Sequence, residues 1–156
     1  MTATTNARPR DLVLVDMENL CGGTRFTATQ AAAVRAEVTA LASLSPIAHV
    51  VVGASCAAAL LEASLGWSGA RLVWRPGHDG ADLALAAVAF TEDVVGRFDR
   101  VVICSGDGMF TLVARYLQRH GMTVTVVSRP DALSGQLRRS VADVRTLGDT
   151  PLSGAA

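Results

Sequence analysis

Five short apolar runs recur along this chain, and their continuous apolarity is the feature that most limits its fold. Strands with one face in water alternate apolar and polar residues, whereas strands covered on both faces of a parallel sheet are apolar throughout. The runs are residues 11–15, 47–53, 70–74, 99–104 and 122–127. They predict a mainly parallel sheet of about five strands.

Stretches of helical composition separate these runs. Thr27 and Ser55 are candidate N-caps, and Gly121 has the place of a glycine that follows a helix end. A chain that alternates strands and helices with right-handed crossovers forms a three-layer α/β/α sandwich, Rossmann-like, with function at the carboxyl ends of the strands. The predicted helices are residues 27–44, 55–65, 81–95, 108–120 and 132–144.

The length of the chain predicts one domain. Its 156 residues are enough for a single hydrophobic core, and no repeat or low-complexity linker divides them. The domain is predicted over residues 11–147, with flexible tails at 1–10 and 148–156. The apolar runs are far shorter than the roughly 20 residues that cross a bilayer, and the first residues lack the apolar core of a signal peptide. We therefore expect a cytoplasmic protein with no membrane contact.

The charged residues exclude several kinds of site. All 14 basic residues are arginine, which excludes a P-loop, a Schiff-base mechanism and the lysine-containing phosphate sites of receiver domains. Alanine-rich, lysine-free usage indicates a GC-rich bacterial genome. Because 14 acidic residues balance the arginines, a nucleic-acid partner would need a local basic patch. Three widely spaced cysteines predict neither a disulfide framework nor a zinc site.

Acidic residues directly follow two of the predicted strands. The first strand runs into Asp16 and Glu18, and the fourth runs into Ser105 and Asp107. Strands one and four are commonly neighbours in such sheets, where the strand order reverses, so the two turns should face each other. Asp82 lies in the first turn of a predicted helix, where a carboxylate is well tolerated. These four carboxylates are predicted to converge at one edge of the sheet.

Carboxylates that converge repel one another unless a cation neutralises them. Oxygen ligands with several retained waters suit Mg²⁺ or Mn²⁺, and a bound water or hydroxide becomes a nucleophile for phosphodiester cleavage. The predicted metal ligands are Asp16, Asp82 and Asp107, with Glu18 as a further candidate. Each aspartate taken alone has an alternative as an N-cap, and Glu18 has one as a solvated loop acid.

Three segments resemble, in order and spacing, the acidic blocks of NYN domains in the PIN-like nuclease superfamily. They are VLVDMENL, GADLALAA and VVICSGDGMFTLVARYLQRHGMTVTVV, and the resemblance spans residues 11–147. It implies a PIN-like fold and a metal-dependent endonuclease that acts most often on RNA. The family's carboxylates match Asp16, Asp82 and Asp107, which are the predicted catalytic residues. Asn19 matches a small polar residue that steadies the first turn.

Two positions depart from the family pattern. Met109 stands where many relatives carry a further acid, and Asp79 stands where many carry lysine. One bound ion is therefore a safer prediction than two, with Glu18 and Asp79 as candidates to replace the missing acid. The departures also leave open a catalytically weak or inactive module that binds nucleic acid or protein. A phosphatase for small phosphoesters ranks lowest, because the chain has neither a phosphate-binding lysine nor a nucleophilic DxD motif.

A second group of residues is predicted to contact or support a substrate. Arg25, Arg75 and Arg129 follow strand ends or lie in loops at the expected active edge, where arginine can hold a sugar-phosphate backbone. Solvated surface arginine is the alternative for each. Ser105 could bond a phosphate or a ligand carboxylate, or stabilise its own turn.

The predicted partner is RNA, or single-stranded DNA, and a homodimer is expected only by analogy with PIN-like relatives. Aromatic residues make up 4% of the chain, so stacking platforms are limited to residues such as Trp74 or Phe26.

Overall fold

A six-stranded parallel sheet forms the centre of the computed structural model, which describes residues 8–148. The strands are β1 (Asp11–Asp16), β2 (His49–Ala54), β3 (Arg71–Trp74), β4 (Arg100–Cys104), β5 (Thr123–Ser128) and β6 (Asp143–Thr146). Their order across the sheet is β3-β2-β1-β4-β5-β6. Because β1 pairs with both β2 and β4, the carboxyl ends of these three strands lie side by side.

Helices cover both faces of the sheet. They are α1 (Met17–Cys21), α2 (Ala28–Leu41), α3 (Ala57–Gly66), α4 (Gly80–Thr91), α5 (Val94–Arg97), α6 (Phe110–Arg119) and α7 (Gly135–Ser140). Helices α4, α6 and α7 contribute to one hydrophobic cluster, and α1, α2 and α3 contribute to the other. The three-layer α/β/α fold with a parallel sheet is therefore confirmed.

The apolarity of β1 follows from these two layers. Leu12 and Leu14 belong to the cluster on one face, whereas Val13 and Val15 belong to the cluster on the other. All four side chains are buried. Since successive residues of a strand point to opposite faces, only a continuous apolar run fills both clusters.

Two of the three predicted helix signals are confirmed. Thr27 forms a capping box with Gln30 at the start of α2, and Gly121 takes a positive φ of 79° just after α6. The prediction for Ser55 is wrong, because α3 begins at Ala57 and its N-cap is Cys56, which makes no side-chain cap bond. The Ser55 hydroxyl instead donates to a carboxylate across the sheet edge.

The helix predicted over residues 132–144 is also wrong at its end. Helix α7 stops at Ser140, and residues 143–146 form β6, which pairs with β5. The Thr125 hydroxyl donates to the Asp143 carboxylate at 2.8 Å, a contact between distant segments that gives no local pattern. The sheet therefore has six strands where five were predicted.

The predicted tails lie largely outside the described residues. Residues 1–7 and 149–156 are beyond them. Arg10, within the predicted first tail, donates its backbone N–H to Asp99 at 2.8 Å and pairs with the same carboxylate through its guanidinium. Between residues 8 and 148, no helix combines the length and the apolarity needed to cross a bilayer.

Candidate functional site

A pocket of about 430 Å³ lies at the carboxyl edge of the sheet, where β1, β2 and β4 end and α4 begins. Its lining includes five acidic residues, and four of them are the predicted carboxylates. Asn19, Thr24, Ser55 and His78 contribute polar groups to the same lining. The acidic members are Asp16, Glu18, Asp79, Asp82 and Asp107.

Asp16 connects the ends of two neighbouring strands. It is buried at the last position of β1 and caps α1, since its Oδ1 accepts the backbone N–H of Asn19 at 3.1 Å. Its Oδ2 accepts the hydroxyl of Ser105, just beyond β4, at 3.0 Å. Both oxygens are therefore held in place, and the carboxylate has a fixed position at the pocket floor.

The turn after β4 is held by the same group of residues. The Gly106 N–H donates to the Asn19 side-chain oxygen at 2.8 Å, and the Asp107 N–H donates to Ser105 Oγ at 3.2 Å. Asp107 Oδ1 accepts the N–H of Met109 at 2.7 Å. Asn19 and Ser105 thus join the two acidic turns, and Asp107 keeps a defined orientation beside them.

Asp82 is the most perturbed of the carboxyl groups. It lies in the first turn of α4 and is only 7% exposed. Burial raises the pKa of Asp82 to about 9, and the hydrogen bond with Asp16 and the negative charges of Asp16, Asp107 and Asp79 add to the rise. Without a cation, the protonated form of the Asp82 carboxyl is therefore favoured at neutral pH.

The stability of the metal-free protein should respond to this proton. A carboxyl group whose folded pKa exceeds its ordinary value of 3.8 binds more protons in the folded than in the unfolded state, so stability falls as pH rises between the two values. In EDTA, we expect the melting temperature of the Asp82→Asn variant, relative to that of the wild type, to increase as the pH rises from about 5 to 8. Thermal unfolding at several pH values measures this. Parallel pH profiles for the two proteins would contradict it.

The donor chemistry of the pocket suits a hard divalent cation. Asp16, Asp82 and Asp107 offer carboxylate oxygens, and none of the arginines in residues 8–148 lines the pocket to neutralise them. The side chains are not yet arranged around a common ion: within this range, no three Asp, Glu, His or Cys residues form a group that could hold a metal. The residues fit Mg²⁺ or Mn²⁺ by the chemistry of their donor oxygens.

Glu18 lies in the pocket wall and faces the turn after β2. Its Oε1 accepts the N–H of Ser55 at 2.7 Å and the hydroxyl of Ser55 at 2.9 Å. Its Oε2 lies 2.8 Å from the same hydroxyl. Ser55 was not among the predicted site residues, although its position directly after a strand, like that of Ser105, was a signal that could have identified it.

The rim of the pocket carries His78 and Asp79. The His78 Nδ1 lies 2.9 Å from Asp79 Oδ2, and both side chains are largely exposed. Asp79 takes a left-handed backbone with φ 59° before α4. Met109, at the position of the missing acid, packs against the hydrophobic cluster below α6. The rim therefore offers Asp79 as an additional acid.

The three predicted substrate arginines lie outside this pocket. Arg25 and Arg75 are exposed. Arg129 pairs with Asp131 and lines a second pocket of about 290 Å³, together with Cys21 and other residues. The structure thus brings Asn19 and Ser105 to the acids but not the arginines.

The two aromatic candidates for base stacking differ in exposure. Phe26 is 5% exposed, so its ring is not available to a base, whereas Trp74 is 55% exposed at the end of β3.

Comparison with known proteins gives a family and a structural neighbour. The model of the NYN domain matches residues 11–148. A crystal structure of a protein of unknown function from Vibrio parahaemolyticus RIMD 2210633 is similar, with a TM-score of 0.63 and 23% identity. The similarity covers 93% of this chain and 96% of that one, and it concerns the fold. No curated protein matches the chain.

Proposed function

The chain belongs to the NYN domain family, which has the PIN-like nuclease fold, and from this premise we propose that it is a metal-dependent endoribonuclease. It would hydrolyse phosphodiester bonds of single-stranded or structured RNA. The observation that carries the proposal is the pocket at the sheet edge, where Asp16, Asp82 and Asp107 meet. The raised pKa of Asp82 supports it, because perturbed carboxyl groups in a cleft are typical of functional sites.

The pocket residues have distinct parts in this mechanism. Asp16, Asp82 and Asp107 would hold Mg²⁺ or Mn²⁺, which when bound supplies an activated water and neutralises charge on the phosphate. Asp16 is kept in place by bonds from Asn19 and Ser105. Asp82 must release its proton when the cation binds, so metal affinity should rise with pH.

The arginines have a separate part in the proposal. Arg25, Arg75 and Arg129 would contact the sugar-phosphate backbone away from the reacting bond, since phosphate contacts position a substrate without reading its sequence. The acidic pocket itself would repel the phosphates until the cation is bound. Both features predict that RNA binding is weak without metal and depends little on the RNA sequence.

A cleavage assay tests the proposal. The purified protein should cut labelled single-stranded RNA with Mn²⁺ and should not cut it in EDTA. The Asp107→Asn variant should not cut under either condition, because it lacks a carboxylate of the metal set. Equal activity of the variant and the wild type would contradict the assignment of this pocket as the active site.

A second candidate function is a nucleic-acid-binding module with weak or no catalysis. Two observations favour it: Met109 packs against the core where a further acid is expected, and the carboxylates in residues 8–148 are not arranged around a metal position. Tight RNA binding without cleavage in Mg²⁺, Mn²⁺ and Co²⁺ is the result that this candidate predicts. Robust turnover in any of the three would exclude it.

A further inference from the structure

We propose that Glu18 is a positioning residue, which fixes the wall of the acidic pocket through Ser55 and is not itself a ligand of the metal. This inference rests on the proposed function and divides the four carboxylates into three ligands and one support. It also assigns a part to Ser55, at the end of β2.

Three short contacts join Glu18 to Ser55. Its carboxylate accepts the Ser55 N–H at 2.7 Å and lies 2.9 and 2.8 Å from the Ser55 hydroxyl. A carboxylate has about four lone-pair positions, and hydrogen bonds to an ionised acceptor are stronger than neutral ones. Because both donors belong to Ser55, these bonds attach the Glu18 carboxylate to the turn after β2.

Ser55 lies close to the start of α4. A Cβ added to Gly80, the first residue of α4, would lie 3.4 Å from the Ser55 Cβ and 1.8 Å from the carbonyl oxygen of Arg75. The backbone at the start of α4 therefore lies close against both residues. Asp82 follows two residues later, so the bonds that Ser55 donates to Glu18 help to set where the first turn of α4, and with it Asp82, meets the strand edge.

Three variants separate a positioning residue from a ligand. Glu18→Gln keeps an oxygen that can accept the Ser55 N–H but removes the negative charge. Glu18→Ala removes both, and Ser55→Ala removes the hydroxyl while it leaves the Glu18 carboxylate in place. Mn²⁺ affinity by calorimetry is the first measurement, with thermal unfolding of each variant to verify that it is folded.

The expected pattern is specific to positioning. Glu18→Ala should weaken Mn²⁺ binding by about 10-fold or more, which is the usual effect of losing a residue that supports a metal ligand. Ser55→Ala should weaken it in the same direction, and Glu18→Gln should stay within about threefold of the wild type. A loss in Glu18→Gln as large as in Glu18→Ala, with Ser55→Ala unchanged, would identify Glu18 as a ligand. Unchanged Mn²⁺ affinity in Glu18→Ala would mean that Glu18 does not support the metal ligands. Either result overturns the inference.

A second measurement needs no metal. The amides of Gly80 and Leu83 are hydrogen-bonded at the start of α4, to Gly77 and Asp79, and their hydrogen exchange reports on that turn. Exchange at Ser55, Gly80 and Leu83 should be faster in Glu18→Ala and close to wild type in Glu18→Gln. If the wild type binds no Mn²⁺, the proposed function fails, and this exchange pattern still decides the inference. Equal exchange in all proteins would overturn it.

Discussion

An Asp16→Asn variant is expected to cleave RNA at least about 100-fold more slowly than the wild type at the same Mn²⁺ concentration, which is the scale seen when one electrostatic group of an active site is removed. Asp16 is the acid with the most central position. It lies at the end of β1, one of the two central strands, accepts a bond from Ser105 in the turn after β4, and its charge adds to the rise in the pKa of Asp82. Loss of its charge therefore affects the whole pocket.

The same variant should remain folded. Asparagine is as good an N-cap as aspartate, and its side-chain oxygen can accept the Asn19 N–H that Asp16 accepts now. The substitution also removes the charge that opposes ionisation of Asp82. The amide nitrogen, however, replaces the oxygen that accepts the Ser105 hydroxyl, so thermal unfolding is measured beside the activity. If the variant is folded at the assay temperature, the activity loss can be assigned to chemistry.

Asp93→Asn is the matched control. Asp93 is exposed and takes a left-handed backbone with φ 51°, a conformation that asparagine also accepts. It does not line the acidic pocket. Its variant should cleave at the wild-type rate. Retained activity in Asp16→Asn, or an equal loss in both variants, would contradict a catalytic part for Asp16.

A Phe110→Ala variant is expected to lose about 3–5 kcal/mol of unfolding free energy, the usual effect of removing a buried aromatic ring. Phe110 is fully buried at the first residue of α6, three positions after Asp107. It joins the cluster on that face of the sheet. The ring thus stabilises the core and the turn that carries Asp107.

Chemical denaturation measures this loss, with Phe90→Ala as the control. Phe90 is 44% exposed on α4, with its ring 5.0 Å from that of Tyr116, so truncation should remove about 1 kcal/mol or less. Equal destabilisation by the two substitutions would contradict the packing described for Phe110.

Residue type and order were enough to predict the fold class. The run at β1 is apolar because Leu12 and Val13 fill different clusters, and this pattern has few structural solutions. The relative position of Asp16 and Asp107 followed from the same topology, since β1 and β4 are neighbours. Their part in metal binding stays a prediction.

Other features depend on contacts between distant segments and could not be predicted from the local sequence. Strand β6 carries one apolar residue, Val144, and is held by pairing with β5 and by the bond from Thr125 to Asp143. Serine is a common N-cap residue. Only the nearness of Glu18 shows that the Ser55 hydroxyl donates to a carboxylate and does not cap a helix. The orientation of Arg129 toward Asp131 likewise depends on the loop after β5.

Calorimetric titration of Mn²⁺ into the wild type and into Asp16→Asn tests most directly whether the acidic pocket is a metal site. We expect one bound ion per chain for the wild type, with affinity that increases with pH as Asp82 loses its proton, and no measurable binding for the variant. Absence of binding to the wild type, or equal binding to both proteins, would contradict it.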